Sequence, residues 1–254
     1  MTKTIFITGA ASGIGKATAA RFSQRGWRVG CYDLDTEGAR AVAAELGTSC
    51  SPGHIDVRNE ASWRKAIGDF VGDTSQLDVL FNCAGILRMG RFEDVGPADS
   101  RDQLETNVMG VVLGIQVCLP FLEKAQGTVI NMSSASAIYG QPELAVYSAS
   151  KFAVRALTEA LDIELREKAV RVTDIMPGYV DTPMLSSQTY RAASLRKLGI
   201  KLKAEDIAAL AWKAAHGTKM HHIPQANMRM FSRLSSFWPS LSRLTMRRLV
   251  EPGR

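Results

Sequence analysis

The chain has 254 residues, 46% of them hydrophobic and 22% charged, which is enough for one large domain with a sizeable buried core. Its four cysteines lack CxxC spacing, so the sequence predicts neither a metal site nor a disulfide framework, and a reduced, cytoplasmic setting is expected. The net charge of +6 is uneven, because residues 190–254 carry 13 Lys and Arg against three acidic residues.

Short apolar runs alternate with amphipathic stretches from the first residues onward. The runs predict strands at Ile5–Thr8, Arg28–Tyr32, Asp78–Phe81, Thr128–Met132 and Arg171–Ile175. The stretches between them predict helices at Ile14–Arg25, Glu37–Leu46, Ala61–Phe70, Arg101–Leu122 and Tyr147–Lys168. Because strands that are apolar throughout are buried on both faces, this alternation predicts an α/β fold with a parallel sheet covered by helices on both sides.

A glycine-rich turn, Thr8-Gly9-Ala10-Ala11-Ser12-Gly13-Ile14-Gly15, joins the first predicted strand to the first predicted helix. Glycines there permit a tight turn and bring backbone N–H groups close to a pyrophosphate at the helix N-terminus. Such a turn can also be only a tight connection, but its place after the first strand favours nucleotide binding. The predicted cofactor contacts in this turn are Gly9, Ser12, Gly13, Ile14 and Gly15.

Asp33 follows the second predicted strand, eighteen residues after Gly15. A carboxylate there can accept hydrogen bonds from the adenosine ribose hydroxyls, and it would repel a 2′-phosphate. Asp33 could instead only cap a helix. The sequence therefore predicts NAD rather than NADP as the cofactor.

Tyr147 and Lys151 are four residues apart on a predicted helix, with Ser134 thirteen residues upstream of the tyrosine. This spacing puts both side chains on one helix face, where an ammonium favours the ionised phenol. A tyrosine that exchanges a proton near neutral pH suits the interconversion of an alcohol and a carbonyl. A Tyr and a Lys at this spacing are common on ordinary helices, so the prediction depends on the other motifs in the sequence.

Six motifs occur together in one order: the glycine turn, Asn82-Cys83-Ala84-Gly85, Asn107, Ser134, Tyr147-x-x-x-Lys151, and Pro177-Gly178 with Thr182. Together they resemble the short-chain dehydrogenase/reductase superfamily, in its compact single-domain branch, over about residues 3–216. Cys83 departs from the pattern, since the family more often has Asn there. In two positions where NADP-preferring relatives usually carry Arg or Lys, this chain has Ser12 and Leu34.

The resemblance implies a Rossmann-like doubly wound sheet in one domain, residues 1–226, and four catalytic residues. Tyr147 would be the general acid/base, and Ser134 would hold the substrate oxygen. Lys151 would bind the nicotinamide ribose and lower the pKa of the tyrosine. Asn107 would anchor a water that relays protons from Lys151, although an amide in an apolar helix can also be a satisfied core residue.

The resemblance also implies further NAD contacts. Asp56 and Val57 would contact the adenine, and the remaining cofactor-binding residues would be Asn82, Ala84, Gly85, Pro177, Gly178, Val180 and Thr182, together with Tyr147 and Lys151. One cation nearby shifts a pKa by about 1–3 units, so Lys151 alone is barely sufficient to activate Tyr147. We therefore expect the charge of the oxidised nicotinamide to contribute the remainder.

The implied activity is an NAD(H)-dependent oxidoreductase that interconverts a secondary alcohol and a ketone, with a lipophilic substrate suggested by the apolar tail. Three alternatives stay open: an NADP-dependent carbonyl reductase, a non-catalytic NAD-binding regulator, and a sugar-nucleotide epimerase. The intact Ser–Tyr–Lys set argues against a regulator, and an epimerase needs a longer substrate domain. A homodimer or homotetramer is expected from family analogy.

Two segments depart from regular alternation. Residues 183–203 lack clear periodicity and are predicted to form a substrate lid. Residues 227–254 form a basic amphipathic extension, in which Phe231, Leu234, Trp238 and Leu241 recur at spacings of three or four. This tail could pack on its own domain, on a sister subunit or, through residues 228–254, on an anionic membrane surface. Nucleic acid is not expected as a partner, since no recognition motif accompanies the charge.

Overall fold

The computed structural model describes residues 2–237, 243–245 and 247. The strands are Thr4–Thr8 (β1), Arg28–Asp33 (β2), Cys50–His54 (β3), Val79–Asn82 (β4), Thr128–Met132 (β5), Arg171–Ile175 (β6), Val180–Asp181 (β7), Leu202–Lys203 (β8) and His221–His222 (β9). The longer helices are Gly13–Ser23 (α1), Thr36–Leu46 (α2), Glu60–Val71 (α3), Pro97–Leu104 (α4), Gly110–Ala125 (α5), Ala145–Glu164 (α6), Pro183–Ser186 (α7), Ala193–Leu198 (α8), Ala204–His216 (α9) and Ala226–Phe237 (α10). Short 3-10 helices lie at Gly72–Thr74, Phe92–Asp94, Ala135–Ala137 and Arg166–Lys168.

Seven strands form one parallel sheet in the order β3-β2-β1-β4-β5-β6-β9. The chain starts at the centre, builds outward through β2 and β3, then returns to the other side of β1 with β4. The order therefore reverses between β1 and β4, and loops leaving these strands diverge toward opposite faces. In open α/β sheets the ligand cleft lies at such a point, beyond the carboxyl ends of the strands.

Every residue of β1 is buried, and its side chains alternate between two core layers. Phe6 packs with Tyr32, Trp63 and Phe70 on one face of the sheet. Ile5 and Ile7 belong to the layer on the other face, where α1 packs against α9. This two-sided burial explains why the strands read as continuous apolar runs, and it confirms the predicted Rossmann-like doubly wound sheet in a single domain.

The five predicted strands match the observed strands to within one residue at each end. The sequence analysis missed β3, because its residues Cys50–His54 include a proline and a glycine, which a strand tolerates only at a sheet edge. It also missed β9, since two histidines carry no strand pattern. Hydrogen bonding to β6 nevertheless makes His221–His222 the seventh strand.

The predicted long helix Arg101–Leu122 is interrupted. α4 ends at Leu104, the residues Glu105–Met109 form one π-helical turn, and α5 begins at Gly110. A single inserted residue produces such a turn, and it frequently marks a functional site. This turn contains Asn107, so the irregularity coincides with a residue singled out from the sequence.

The stretch Pro97–Ala125 is also long and apolar enough to cross a membrane by length and composition. Its α5 part contributes Val111, Ile115, Cys118 and Leu122 to the core layer under the sheet. This packing is typical of the core helix of a globular domain.

The predicted lid is not irregular throughout. Residues 183–203 contain α7, α8 and the strand β8, which pairs with β7. Their helices are too short for an apolar period to be visible in the sequence.

The described part of the tail packs on its own domain. Met228 and Phe231 of α10 contact the buried patch around Tyr139, and the Phe231 and Tyr139 rings meet edge to face at 5.2 Å. Leu234 is exposed, and Trp238 and Leu241 lie outside the described residues. The first turns of this tail therefore contact the domain itself, which is one of the three surfaces considered for the tail.

Substitution of Trp63 tests how much the core layer around Phe6 contributes to stability. Its indole is fully buried, and its N–H donates to the carbonyl oxygen of Val57 at 3.0 Å. We expect Trp63→Ala to lower the free energy of unfolding by about 3–5 kcal/mol, because it leaves a cavity and an unpaired carbonyl. Urea denaturation measures this change. Phe92→Ala, at a side chain that is 71% exposed, should stay within about 0.5 kcal/mol of the parent.

Candidate active site

A cleft of about 670 Å³ opens at the carboxyl end of the sheet, between the loops that follow β1, β4, β5 and β6. This volume is large enough to hold one end of a dinucleotide together with a small substrate. The predicted residues that line it are Gly9, Ser12, Gly13, Ile14, Gly15, Asp33, Asp56, Val57, Ala84, Gly85, Ser134, Tyr147, Lys151, Pro177, Gly178, Val180 and Thr182. The fold therefore brings nearly all of the predicted site residues to one place.

The glycine turn is packed so tightly that side chains have no room. A Cβ on Gly9, whose φ is +71°, would lie 2.9 Å from the Cα of Ala84. A Cβ on Gly15 would lie 2.0 Å from the carbonyl oxygen of Gly9. The turn thus holds the start of α1 directly against the cleft.

The N-terminus of α1 is suited to an anionic group. Its N-cap residue, Ser12, makes no side-chain capping hydrogen bond, whereas Asp35 and Asn59 cap α2 and α3 with their side chains. The backbone N–H groups of the first α1 turn are therefore left for a ligand. This uncapped terminus and the missing Cβ atoms fit the pyrophosphate of a dinucleotide.

The Asp33 carboxylate is held at the end of β2 by backbone N–H groups. One oxygen accepts from Ala11 at 2.9 Å, and the other accepts from Asp35 at 3.0 Å. Each carboxylate oxygen has a second acceptor position. The side chain thus braces the glycine turn and still presents acceptors to the cleft.

Asp56 does not face the cleft alone, because Arg58 forms a fork-like ion pair with its carboxylate. The guanidinium Nε and Nη2 donate to the two carboxylate oxygens at 3.0 and 2.9 Å, and Asp102 lies 3.9 Å from Nη1. This pairing lowers the pKa of Asp56. The sequence analysis missed Arg58, although an opposite charge two residues from Asp56 was a usable signal. A contact of Asp56 with adenine stays a prediction.

Asn82 differs from the other predicted contacts because it lies beneath the cleft and does not line it. Its side chain is 3% exposed, and its amide donates to Asn131 at 2.9 Å. Asn131 in turn donates to Thr158 of α6. Asn82 therefore joins β4, β5 and α6 below the site.

Tyr147, Lys151 and Ser134 converge on the cleft from α6 and from the end of β5. The Lys151 ammonium lies 5.6 Å from the centre of the Tyr147 ring, and it donates to the carbonyl oxygen of Met132 at 2.8 Å. The Ser134 hydroxyl accepts the N–H of Ser136, which fixes its position.

The pKa of Tyr147 differs from the expectation. Burial of the hydroxyl raises it to about 12, while the hydrogen bond with Ser134 acts in the lowering direction. Burial also lowers the pKa of Lys151 to about 8. The protein alone therefore does not lower the pKa of Tyr147, because burial removes hydration from the phenolate. A lowering by Lys151 together with a bound oxidised cofactor stays a prediction.

Asn107 is fully bonded within the fold. Its side-chain oxygen accepts the Ile86 N–H at 2.8 Å, and its amide donates to the Ile86 carbonyl oxygen at 2.9 Å and to the Ser150 hydroxyl at 3.1 Å. The residue is 1% exposed and does not line the cleft. Its side chain thus clamps the loop after β4 to α6, as the alternative reading of a satisfied core amide describes. The proton relay through a bound water stays a prediction.

An apolar wall packs against Tyr147, and three of its residues, Leu87, Leu144 and Leu185, line the cleft. It consists of an apolar cluster against which Tyr147, Tyr179 and Tyr190 pack, formed by Leu87, Met89, Leu144, Leu185, Ala192 and Leu195. The sequence analysis missed these residues, because they come from three loops whose proximity only the fold creates. No group of His, Cys, Asp or Glu within the described ranges could hold a metal ion.

The chain matches one protein family and several curated relatives. The family model described as short chain dehydrogenase matches residues 3–192. The 3-alpha-(or 20-beta)-hydroxysteroid dehydrogenase of Mycobacterium tuberculosis is 38% identical over 183 residues, which cover 72% of this chain and 70% of that protein. The cyclopentanol dehydrogenase of Comamonas testosteroni is 33% identical over 186 residues, 72% of this chain and 74% of that protein.

Solved structures agree in fold. A short chain dehydrogenase/reductase from Burkholderia phymatum, in complex with NAD, superposes with a TM-score of 0.86 at 25% identity, over 100% of this chain and 97% of that chain. The 3-ketoacyl-(acyl-carrier-protein) reductase from Brucella melitensis, complexed with NADH, has a TM-score of 0.80 at 30% identity. That superposition covers 87% of this chain and 96% of that chain.

The lowered pKa of Lys151 predicts a pH-dependent stability. Between its folded pKa of about 8 and the ordinary 10.5, the unfolded chain holds a proton that the folded chain has lost. Burial of the charged amine is therefore destabilising below pH 8, and this cost is relieved as the pH rises to 10.5. Relative to Lys151→Met, the free energy of unfolding should rise by on the order of 3 kcal/mol across that window, measured by denaturation at each pH. A difference that does not change with pH would contradict the assignment.

Proposed function

The chain belongs to the short-chain dehydrogenase family, and we propose that it is an NAD(H)-dependent dehydrogenase that interconverts an alicyclic secondary alcohol and its ketone. The observation that carries this proposal is the convergence of Tyr147, Ser134 and Lys151 in one cleft, between the glycine turn and the apolar wall. The matched hydroxysteroid and cyclopentanol dehydrogenases, whose names specify cyclic alcohols, support the substrate class.

In this proposal the substrate hydroxyl lies between Tyr147 and Ser134. The Ser134 oxygen is held by the Ser136 N–H, so its own proton is available to donate to the substrate oxygen. Tyr147 takes the hydroxyl proton during oxidation and returns it during reduction. A bound nicotinamide would accept the hydride from the carbinol carbon or supply it to the ketone.

Lys151 takes part in the proton transfer by Tyr147 and not in the hydride transfer at the carbinol carbon. Its ammonium is 2.8 Å from the Met132 carbonyl oxygen and next to the Tyr147 ring, in a position to hydrogen-bond a ribose hydroxyl and to favour the phenolate. Because the protein alone leaves the pKa of Tyr147 at about 12, activation requires the tyrosine and lysine to change surroundings when the site is filled. Asn107 holds the loop after β4 through its hydrogen bonds to Ile86, and its part in a proton relay stays a prediction.

The preference for NAD is proposed from Asp33. Its carboxylate is fixed by two backbone N–H groups at the adenosine end, where a 2′-phosphate would meet like charge. Arg58 is a basic residue at the same end, but its ion pairs with Asp56 and Asp102 offset its charge.

Three other expectations stay predictions: the cytoplasmic setting, the homodimer or homotetramer, and the domain boundary at residues 226 and 227. Membrane contact through residues 228–254 has no support among the matched proteins, and it is not part of the proposal. Packing of Met228 and Phe231 on Tyr139 favours a tail that completes the domain.

Tyr147→Phe tests the chemistry. We expect turnover of cyclopentanol, cyclohexanol or a hydroxysteroid with NAD to fall by about 10³-fold, since the group that transfers the proton is removed. NADH binding, measured by fluorescence of the bound cofactor, should persist. Tyr139→Phe is the matched control, because this buried tyrosine lies outside the cleft, and it should retain turnover within a few-fold. Retained turnover in Tyr147→Phe would sink the mechanism.

Asp33→Asn tests the cofactor preference. The parent should favour NAD over NADP in kcat/KM by about 100-fold or more, because an uncompensated like-charge contact costs several kcal/mol when water is excluded. Asp33→Asn removes the charge but keeps one hydrogen-bond acceptor. The ratio of kcat/KM with NAD to kcat/KM with NADP should therefore fall. Comparable parent turnover with NAD and NADP at low concentration would refute the preference.

A further inference from the structure

Glu143 has an unusual backbone. Its φ is +65°, in the left-handed region, which costs a non-glycine residue on the order of 1 kcal/mol. The other described non-glycine residues with positive φ are Ser75, Gln126 and Ala169, and each of them ends a helix. Glu143 instead precedes a helix, next to the cleft. Strain of this kind persists where surrounding contacts hold the residue in place.

The Glu143 carboxylate supplies those contacts. One oxygen accepts the hydroxyl proton of Tyr190 at 2.7 Å, and the other accepts the backbone N–H of Ala193 at 2.5 Å. Both partners belong to the segment 183–203, and Ala193 is the first residue of α8. Hydrogen bonds to a charged acceptor are about twice as strong as neutral ones, so this carboxylate ties the segment firmly to the residues before α6.

A weaker polar network runs beside this tie. The Tyr179 and Ser194 hydroxyls are 2.6 Å apart, and Tyr179 donates to the side-chain oxygen of Gln141 at 3.3 Å. The carbonyl oxygen of Glu143 itself accepts the N–H of Gly90 at 3.0 Å. One short segment, residues 141–143, thus fastens the loop after β4 and the segment 183–203 together.

What this attachment positions is the apolar wall. Ala192 and Leu195 of the attached segment are buried in the same cluster as Leu87 and Leu144, and Tyr147 packs against this cluster. Glu143 lies four residues before Tyr147, at the start of α6. The attachment of the wall therefore lies directly before the helix that carries the phenol of Tyr147.

We propose that Glu143 is a positioning residue, which holds residues 183–203 as a closed wall over the substrate and so sets substrate affinity rather than the chemical step. The role rests on the proposed function for its kinetic consequence. Its structural consequence, the closure of the segment, is independent of turnover. Loss of the carboxylate should therefore raise KM for the alcohol and leave kcat and NADH binding nearly unchanged.

Limited trypsinolysis tests closure without any substrate, because the segment contains the exposed residues Arg191 and Arg196. Glu143→Ala should accelerate cleavage in the segment by about tenfold or more, since two hydrogen bonds to a charged group are lost. Glu143→Gln keeps one acceptor and should be intermediate, and Tyr190→Phe should resemble it. Glu164→Ala, an exposed carboxylate at the other end of α6, is the matched control and should cleave like the parent.

Glu143→Gly separates closure from general stability. Glycine adopts the left-handed conformation without strain, so Glu143→Gly should have a thermal midpoint at or above that of Glu143→Ala while its segment is cleaved as fast or faster. If cleavage instead follows the thermal midpoint across the variants, Glu143 has only a structural role and the proposal is overturned. Unchanged cleavage in Glu143→Ala would also overturn it.

Steady-state kinetics with cyclopentanol, cyclohexanol and a hydroxysteroid then test the effect of Glu143 on substrate affinity. In Glu143→Ala, KM should rise by about tenfold with kcat within a few-fold of the parent, and the NADH dissociation constant should not change. A fall in kcat at unchanged KM would overturn the positioning role. If no alcohol is turned over by the parent, the proposed function fails, while faster cleavage in Glu143→Ala would still establish the closure by Glu143.

Discussion

The site depends on one close approach, between the turn after β1 and the loop after β4. These parallel strands are neighbours in the sheet, yet their following helices leave toward opposite faces, so the two loops touch at their bases and separate above. Gly9 and Ala84 meet so closely that no side chain fits between them, and Thr8 accepts the N–H groups of Cys83 and Ala84 at 3.1 Å. This contact joins the glycine turn to the loop after β4 at the base of the cleft.

Electrostatics in the cleft are governed by loss of hydration. Burial raises the pKa of Tyr147 and lowers the pKa of Lys151, because it disfavours the charged form of each group. A group poised in this way becomes an acid or base only when a nearby charge or hydrogen bond replaces the lost water. The proposed dehydrogenase would therefore transfer protons only when cofactor and substrate fill its site.

The substrate side is assembled from parts that are distant in sequence. The apolar wall comes from the loop after β4, the segment before α6 and the lid, and Glu143 joins all three through its carboxylate and its carbonyl. The tail adds a fourth part, since Met228 lines the cleft and also packs on Tyr139. The cofactor side, in contrast, is built mainly from loops that directly follow strands.

The sequence by itself determined the sheet, the glycine turn and the meeting of Tyr147 with Lys151, because apolar periodicity, glycine placement and helical spacing are local properties. Local patterns could not show β9, whose strand exists only through pairing with β6, or the π-helical turn at Asn107, which tertiary contacts impose. Only the tertiary structure decided that Asn82 lies beneath the cleft and that Glu143 binds the lid segment. Both depend on which polar groups the fold brings within hydrogen-bonding distance, because residues that are far apart in sequence become neighbours only when the sheet and its loops have formed.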